Sequence, residues 1–375
     1  MVSDTWKSEL LGNVATLQRG FDLPHRSRKP GKVPIVTSSG IEDTHFEAKV
    51  KGPGVVTGRY GTIGEVYFVR DDFWPHNTTL YVRDFHGNDP LFISYLLRTI
   101  DFHMHSGKTG VPGVNRNDLH EIIVTLPSTK TEQEAIAEAL SDADTLIEAL
   151  EQILAKKRQV KQGAIQELFT SKRRLPGFSG EWKVKKLGDL CTAIMDGTHF
   201  TPKYVNDGIP FYSVENVTAN DFKNTKFISL QEHNRLIKRC KPEKGDILMT
   251  RIGSLSNTKL IDWDVNASIY VSLALLKFNK QAINGNYLYC YTKSRKFIKD
   301  VELRSLINAI PQKINMEDIG EVPILVPSPE EQTAIAEILS DMDAEIAALE
   351  GKLSKARQVK QGMMSELLTG RIRLV

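Results

Sequence analysis

A long stretch of this chain occurs twice, and it decides the fold. Residues 133–175 read QEAIAEALSDADTLIEALEQILAKKRQVKQGAIQELFTSKRRL, and residues 332–374 read QTAIAEILSDMDAEIAALEGKLSKARQVKQGMMSELLTGRIRL. The two copies align without a gap, 199 residues apart, and 26 of the 43 aligned positions are identical. This period is far longer than the roughly 20–50 residues of stacked repeats. The pattern therefore indicates one duplicated unit rather than a solenoid.

Each copy is predicted to form a long helix, because its apolar residues recur at alternating steps of four and three. This is the a/d spacing of a coiled coil. The residues predicted to pack helix against helix are Ile136, Leu140, Ile147, Leu150 and Leu154 in the first copy and Ile335, Leu339, Ile346, Leu349 and Leu353 in the second. A duplicated unit packs most simply about a pseudo-twofold axis. We therefore expect an antiparallel coiled coil of roughly 60 Å with a head at either end.

The repeat extends more weakly into the segments before each helix. The recurring pairs are Trp6-Lys7 with Trp182-Lys183, Leu11-Gly12 with Leu187-Gly188, and residues 57–61 with 249–253. We predict four parts in order, namely a first head (residues 1–126), a first spacer helix (127–175), a second head (176–326) and a second spacer helix (327–375). The heads share a frame and differ in most residues between its fixed points. Such a chain is suited to presenting two different recognition surfaces on one helical frame.

Both heads are predicted to be α+β, with strands and helices mixed along the chain. Short β-branched and apolar runs predict strands at 33–37, 55–57, 65–69 and 79–82 in the first head, and at 209–214, 247–250 and 269–278 in the second. Helices are predicted at 91–103 and near 287–300. Glycine and proline crowd between these segments, as expected for turns.

Basic, hydroxyl and aromatic residues cluster in the predicted loops of both heads. Arg and Lys can bind guanine or phosphates, and Ser, Thr and Asn suit phosphates and base edges. The candidate DNA-binding residues of the first head are Arg19, His25, Arg26, Arg28, Lys29, Ser38, Ser39, Arg59, Tyr60, Thr62, Lys108 and Arg116. Those of the second head are His199, Lys203, Tyr204, Arg251, Ser254, Asn257, Lys259 and Lys313. Solvated loops also contain such residues without any function, but Arg59 and Arg251 lie in matched loops, which favours a shared role.

The bulk composition restricts the function only weakly. With 49 basic and 46 acidic residues the net charge is +3, which permits nucleic-acid binding without requiring it. No apolar run is long enough for a transmembrane helix. Three cysteines without close spacing are expected to be free thiols in a reducing compartment. We therefore expect a cytoplasmic protein that contacts no membrane.

Recognisable catalytic motifs are absent from the sequence. The phosphate-loop, HExxH and GxSxG patterns do not occur. An Asn-Pro-Pro-aromatic methyltransferase motif and a Pro-Asp metal-nuclease motif are missing as well. No catalytic residue and no metal ligand is therefore predicted.

The junction between each head and its spacer helix carries a family resemblance. The first junction runs from Val111-Pro112 to Asp118-Leu119, Pro127 and Glu132-Gln133. The second runs from Ile310-Pro311 to Asp318-Ile319, Pro327 and Glu331-Gln332. Doubled, in this order and followed by nearly identical helices, these motifs resemble the specificity subunits of type I restriction-modification systems. The resemblance covers the whole chain.

The resemblance implies that each head is a target-recognition domain that reads one half of an interrupted site in double-stranded DNA. It implies that the helices set the half-site spacing and dock two methyltransferase (modification) subunits, and so recruit restriction (translocase-nuclease) subunits. S-adenosylmethionine, ATP and magnesium would belong to those partners, with no cofactor on this chain. The first head departs from the second where Gly113 and Val114 replace Gln312 and Lys313. If Lys313 contacts DNA, the first head would use Lys108 or Arg116 instead.

Two other function classes stay open from the residues alone. A coiled-coil adaptor that joins two protein partners without reading DNA would carry the same helices, and it would show no salt-dependent DNA affinity. An unrecognised nuclease or methyltransferase would need an acidic or aromatic active site, and the sequence displays none.

Overall fold

The computed structural model describes residues 6–106, 113–170, 174–306 and 308–374. The chain divides into two compact units, the first formed by Met1–Gln152 with Gly351–Val375 and the second by Ile153–Glu350. Each unit contains one head together with part of both spacer helices. The two predicted long helices are present as Lys130–Leu168 and Pro329–Leu367, each 39 residues long. The fold is mixed α/β with two repeated heads.

The first head is built on short strands with helices between them. Its strands are Trp6–Leu10, Thr16–Arg19, Val33–Thr37, Gly40–His45, Gly54–Gly58, Val66–Val69, Trp74–Pro75, Thr79–Asp84 and Ile123–Pro127, and its helices are Leu11–Val14, Pro90–Leu97 and Arg116–His120, with 3-10 turns at His25–Ser27 and Phe102–His105. The four predicted strands are confirmed. The predicted helix over 91–103 is too long, because Asp101 accepts a hydrogen bond from the His103 amide and starts a separate turn.

The second head repeats this plan with more elements. Its strands are Lys183–Lys186, Cys191–Asp196, Tyr204–Val205, Ile209–Tyr212, Lys226–Ile228, Ile247–Thr250, Thr258–Leu260, Ser268–Ile269, Leu273–Phe278 and Pro323–Val326, and its helices are Leu187–Leu190, Val214–Ala219, Leu230–Leu236, Gly285–Tyr291, Arg295–Arg304 and Met316–Gly320. The predicted strand 269–278 is two strands in different sheets, separated by a turn. The predicted helix near 287–300 is also two helices, because Ser294 caps the second one.

In each head, one four-stranded antiparallel sheet supports the candidate site. In the first head its strand order is Thr16–Arg19, Thr79–Asp84, Gly54–Gly58, Val66–Val69. In the second head the order is Cys191–Asp196, Leu273–Phe278, Ile247–Thr250, Thr258–Leu260. The strand that precedes the spacer helix lies elsewhere, paired with the first strand of its head.

The apolar seam of each spacer helix has two kinds of position. Ile136 and Leu140 are fully buried in the core of the first unit, where they cluster with Leu367 and Leu368 as well as with head residues. The matching Ile335 and Leu339 lie in the core of the second unit. Leu154 and Leu353 are also buried, whereas Ile147, Leu150, Ile346 and Leu349 are half-buried. The start of the seam therefore packs against the head as well as against the other helix.

Within each unit, ion pairs join the two spacer helices in matched positions. In the first unit Asp144 pairs with Lys360, and Glu151 pairs with Arg357 at 2.6 Å. In the second unit the pairs lie 199 residues away in each case, between Lys161 and Asp343 and between Arg158 and Glu350. In both units, the ion pair that lies later along one helix lies earlier along the other.

A buried carboxylate stands at the start of each spacer helix. Ser328 accepts a hydrogen bond from the Glu331 amide at 3.3 Å, as an N-cap does. The fully buried Glu331 side chain then accepts a bidentate pair of hydrogen bonds from Arg174, at 2.7 and 2.6 Å. The Trp182 indole N–H donates to the same carboxylate at 3.1 Å. Arg174 follows the first spacer helix and Trp182 begins the second head, so one carboxylate joins three segments.

The first unit repeats this arrangement. Glu132 is 1% exposed and accepts hydrogen bonds from the Trp6 indole at 3.2 Å and from Arg373 at 2.6 Å. An unpaired buried carboxylate would be strongly unfavourable. The pairing therefore ties the end of one helix and the first strand of the head to the start of the other helix.

The glutamine after each buried glutamate connects the spacer helix to a head helix. The Gln133 side-chain oxygen accepts from the Asp89 amide at 2.9 Å, and its nitrogen donates to a proline carbonyl just before the spacer helix. Gln332 makes the same two kinds of contact, with the Asn284 amide at 2.8 Å and a proline carbonyl. Asp89 and Asn284 are themselves the N-caps of head helices. These two glutamines therefore fix how each head sits on its helix.

Glu331→Gln is expected to destabilise the second unit by about 3 kcal/mol, because it leaves the Arg174 guanidinium without its anion in a buried site. Glu337 is an exposed residue on the same helix and provides the control. Glu337→Gln should change the free energy of unfolding by less than about 0.5 kcal/mol. Denaturant unfolding of both variants measures the difference, and equal midpoints would contradict a role for the buried carboxylate.

Three histidines, the buried His233 and the half-buried His76 and His120, have pKa values lowered by burial. His120 accepts a hydrogen bond from the Leu17 amide at 2.9 Å, so its acceptor nitrogen carries no proton. Burial lowers the pKa of His120 below its usual 6.5. Burial likewise lowers the pKa of His233, which contacts Ser268, and of His76.

These lowered pKa values predict a loss of stability in acid. Because the unfolded chain binds protons more readily than the folded one, the stabilisation is complete above the unfolded pKa of about 6.5 and is lost as pH falls through the folded values. The melting temperature should therefore decrease as the pH is lowered from about 6.5. His120→Gln keeps an acceptor for the Leu17 amide without titrating, so its melting temperature should depend less steeply on pH. An unchanged slope would exclude His120 from this effect.

Candidate nucleic-acid interface

Strand register identifies Arg19 and Asp196 as equivalent positions in the two heads. Arg19 lies opposite Leu80 in the main sheet of the first head, and Asp196 lies opposite Ala274 in the second. Leu80 and Ala274 in turn lie opposite the strand positions two residues before Arg59 and Arg251. The two heads therefore carry opposite charges at the same place in the sheet.

Arg59 and Arg251 are equivalent by the same criterion. The Arg59 carbonyl accepts a hydrogen bond from the Val114 amide at 3.0 Å, and the Arg251 carbonyl accepts one from the Ile314 amide at 3.0 Å. Each arginine therefore links the end of a central strand to the segment that leads into the last short helix of its head. The matched loops expected from the sequence are matched in the backbone as well.

In the first head, a cavity of about 920 Å³ opens beside these residues. Arg19, Arg59 and Arg116 line it together with Tyr60 and Asp22. Arg19 and Asp22 approach only to 3.9 Å, and their side chains are 54% and 69% exposed. An exposed pair of this kind neutralises little charge. The cavity is therefore basic, and four of the predicted DNA-binding residues line it.

Arg59 is held over the ring of Tyr60, with its guanidinium carbon 4.4 Å from the ring centre. The ring in turn covers Gly113, where a β-carbon would lie 2.2 Å from a ring atom. A larger residue at position 113 would therefore displace the Tyr60 ring from this position. A cation stacked on an aromatic face is oriented before any ligand arrives.

In the second head, the equivalent arginine is inside the structure. Arg251 is 8% exposed and donates to Asp196 at 3.2 Å and to the carbonyls of Ile314 and Val271 at 3.2 and 3.0 Å. Asp196 also accepts from Arg239 at 2.8 Å. The prediction that Arg251 contacts DNA is not tested by this geometry, but its guanidinium is buried, whereas that of Arg59 lines a cavity. These three acceptors hold the Arg251 guanidinium at the end of the main sheet.

The remaining predicted residues differ in exposure. The exposed ones are Arg19, His25, Arg26, Lys29, Ser39, Tyr60, Thr62, Arg116, His199, Lys203, Tyr204, Ser254 and Lys313. The half-buried ones are Arg28, Arg59, Asn257 and Lys259, and the buried ones are Ser38 and Arg251. Arg28 is paired with Asp43 at 2.9 Å. Lys108 lies outside the described residues.

Some of these residues form small contacts of their own. His199 lies 2.9 Å from Asp196. The Lys259 ammonium lies 5.7 Å from the ring centre of Trp263, and the Lys29 ammonium lies 5.3 Å from that of Phe46. None of these side chains lines the cavity that contains Arg59.

The structure corrects one detail of the expected alignment. The sequence comparison sets Val114 against Lys313, but their backbone contacts differ. Val114 is equivalent to Ile314, and the bridges Tyr60 with Gly113 and Ile252 with Lys313 make Gly113 the counterpart of Lys313. The exposed Lys313 therefore has a glycine at its place in the first head, where the tyrosine ring lies instead.

Sequence reasoning missed Asp196 and Arg239 in the second head and the buried glutamates with their partners. A signal existed for Asp196, because Arg19-Gly20 and Asp196-Gly197 lie at nearly the same distance from the matched Leu11-Gly12 and Leu187-Gly188. Arg239 lies in an unmatched stretch and offered no such signal.

The sequence model of a protein family described as the type I restriction modification DNA specificity domain matches residues 3–159 and 179–358. The chain belongs to this family. Both matched stretches contain one head and part of the following spacer helix, so the family match follows the duplication seen in the fold.

Two curated relatives are specificity subunits, and one solved structure shares the fold. The chain is 25% identical over 304 residues to the type I restriction enzyme MjaVIII specificity subunit of Methanocaldococcus jannaschii, covering 76% of this chain and 71% of the relative. It is 25% identical over 329 residues to the putative MjaX specificity subunit of the same organism, covering 82% and 75%. A crystal structure of a type I restriction-modification S subunit from M. genitalium shares the fold with a TM-score of 0.67 at 18% identity, covering 98% of this chain and 97% of the other.

Other site types receive no support from the described residues. Among them, no helix is long and apolar enough to span a bilayer. No group of three or more His, Cys, Asp or Glu side chains in the same part of the chain could hold a metal ion. The three cysteines are free thiols, as expected.

Arg251→Met is expected to destabilise the second unit by about 1–3 kcal/mol, because it removes one of the cations of the buried Asp196 and leaves the Ile314 and Val271 carbonyls without their donor. Lys313→Met removes an exposed cation from the segment that bridges to Ile252, the residue after Arg251, and should have little effect on stability. Thermal unfolding of the two variants makes the comparison. If both unfold like the parent chain, Arg251 is not a structural residue.

Proposed function

We propose that this chain is the DNA-reading specificity subunit of a type I restriction-modification complex, and that each head reads one half of a bipartite site. The observation that carries the proposal is the pair of unlike heads on one frame. Backbone contacts at Arg59 and Arg251 are the same, whereas the side chains around them differ in charge and exposure. Two heads that share a frame and differ in their loops are suited to two different half-sites.

The spacer helices are proposed to form one antiparallel coiled coil with pseudo-twofold symmetry. In support, the ion pairs of the first unit recur in the second at positions 199 residues away, with opposite numbering along the helices in both units. Acidic residues predominate in the first half of each helix and basic residues in the second half, which favours this direction over a parallel one. Such a frame would set the half-site spacing.

The coiled coil would also dock two methyltransferase subunits, which in turn recruit the restriction subunits. S-adenosylmethionine, ATP and magnesium would act on those partners, and this chain would contribute binding without catalysis. Membership of the family supports these assignments, and we propose that the complex acts in the cytoplasm. The chain's own role would be to select where the methyltransferase acts.

Exchange of residues 1–126 for the same segment of a relative should change one half-site and leave the other unchanged. Sequencing of methylated bases in cells that carry the chain with its methyltransferase partner identifies both halves in one experiment. The unchanged half is an internal control for folding and assembly. A change in both halves, or in neither, would contradict the division of labour.

A salt titration separates this function from a coiled-coil adaptor without DNA readout. The assembled methyltransferase complex should lose DNA affinity steeply as salt concentration rises, because phosphate contacts release counterions. Affinity that does not depend on salt, or no affinity, would favour the adaptor.

A further inference from the structure

The position held by Arg19 in the first head and Asp196 in the second has a consequence for the arginine beside it. Asp196 is 7% exposed and binds the guanidinium of Arg251 at 3.2 Å. Arg19 offers no acceptor to Arg59, and it adds a second positive charge to the same cavity. Identical backbone frames therefore carry one arginine that is neutralised and one that is not.

Arg59 is poised to bind a ligand. Within the described part of the chain, no acidic side chain forms an ion pair with Arg59, and its guanidinium stacks on the Tyr60 ring. The stacked guanidinium lines a cavity that is large enough to admit the edge of a base pair. A guanidinium held in one plane can donate two parallel hydrogen bonds to O6 and N7 of guanine.

We propose that the residue at position 19, and its counterpart at 196, determines whether the shared arginine reads DNA, so that Arg59 recognises a guanine in the half-site of the first head while Arg251 holds the second head together. This inference rests on the proposed function and adds to it the base that one residue reads. Arg19 and Arg116 lie on the rim of the same cavity and would bind the flanking phosphates. The second head must therefore read its half-site with other residues.

Arg19→Asp tests the proposal by giving the first head the acid that the second head has. The new carboxylate is expected to bind Arg59 as Asp196 binds Arg251, and the first half-site should lose its guanine preference at one position. Affinity for the parent site should fall about 10- to 100-fold. Methylated-base sequencing and DNA binding by the assembled methyltransferase complex measure the two effects. The second half-site should stay unchanged and reports that the variant is folded.

Arg116→Asp is the matched control, because it reverses a charge on the same cavity without reaching the frame position. It should weaken binding to all sequences alike and leave the recognised sequence unchanged. Arg19→Ala should behave in the same manner and lower the salt slope by about one. If Arg19→Asp only weakens binding as these controls do, position 19 does not control Arg59.

A second variant keeps the proposal testable if Arg19→Asp fails to assemble. Arg59→Lys retains the charge and loses the two-pronged donor, so the guanine preference should relax while the salt slope is unchanged. If Arg59→Lys retains the parent specificity, Arg59 is a phosphate contact and the inference fails. The proposed function fails only if the parent chain itself shows no two-part site, so the two failures are distinct.

Discussion

The buried carboxylate at the start of each spacer helix is the constraint on which the rest of the structure depends. Glu331 and Glu132 are almost inaccessible to water. A charge in such a place requires a cation and further hydrogen-bond donors. Arg174 and Arg373 supply the cation from the segment that follows the other helix, and a tryptophan supplies a further donor, Trp6 from the first strand of its head and Trp182 from the residue just before that strand. Neither unit can complete this site from one segment alone.

This anchoring explains how the heads can differ without losing their common frame. The base of each head is held by the buried glutamate, its arginine and tryptophan partners and the following glutamine. From there, the paired strands position the loops in the same way in both heads. At the far end of the sheet, one position holds Arg19 in one head and Asp196 in the other. The frame tolerates both, because the charge there is satisfied locally or left exposed. Differences in recognition can therefore accumulate in the loops while the anchors stay the same.

Much of the architecture was predictable from the residues, and the errors have definite causes. The long helices and the strand 33–37 follow from strong local patterns. The strand Trp6–Leu10 is mostly polar, and its partner lies more than a hundred residues away, so no local pattern announced it. Two helices were predicted too long, because Asp101 and Ser294 each cap the start of a separate helical segment. The candidate site was found as a set of loop residues, of which only some converge on one cavity.

By itself the sequence determined the duplicated frame, the two spacer helices and the matched arginines, because repetition and periodicity are local properties that need no three-dimensional information. The tertiary structure decided which of those arginines is available. Asp196 and Arg251 are 55 residues apart in the chain, and only the pairing of their strands with a common neighbour brings them within 3.2 Å. Whether an arginine can bind a ligand or forms an internal ion pair depends on the side chain that the sheet brings beside it. The sequence of the loop does not reveal that side chain.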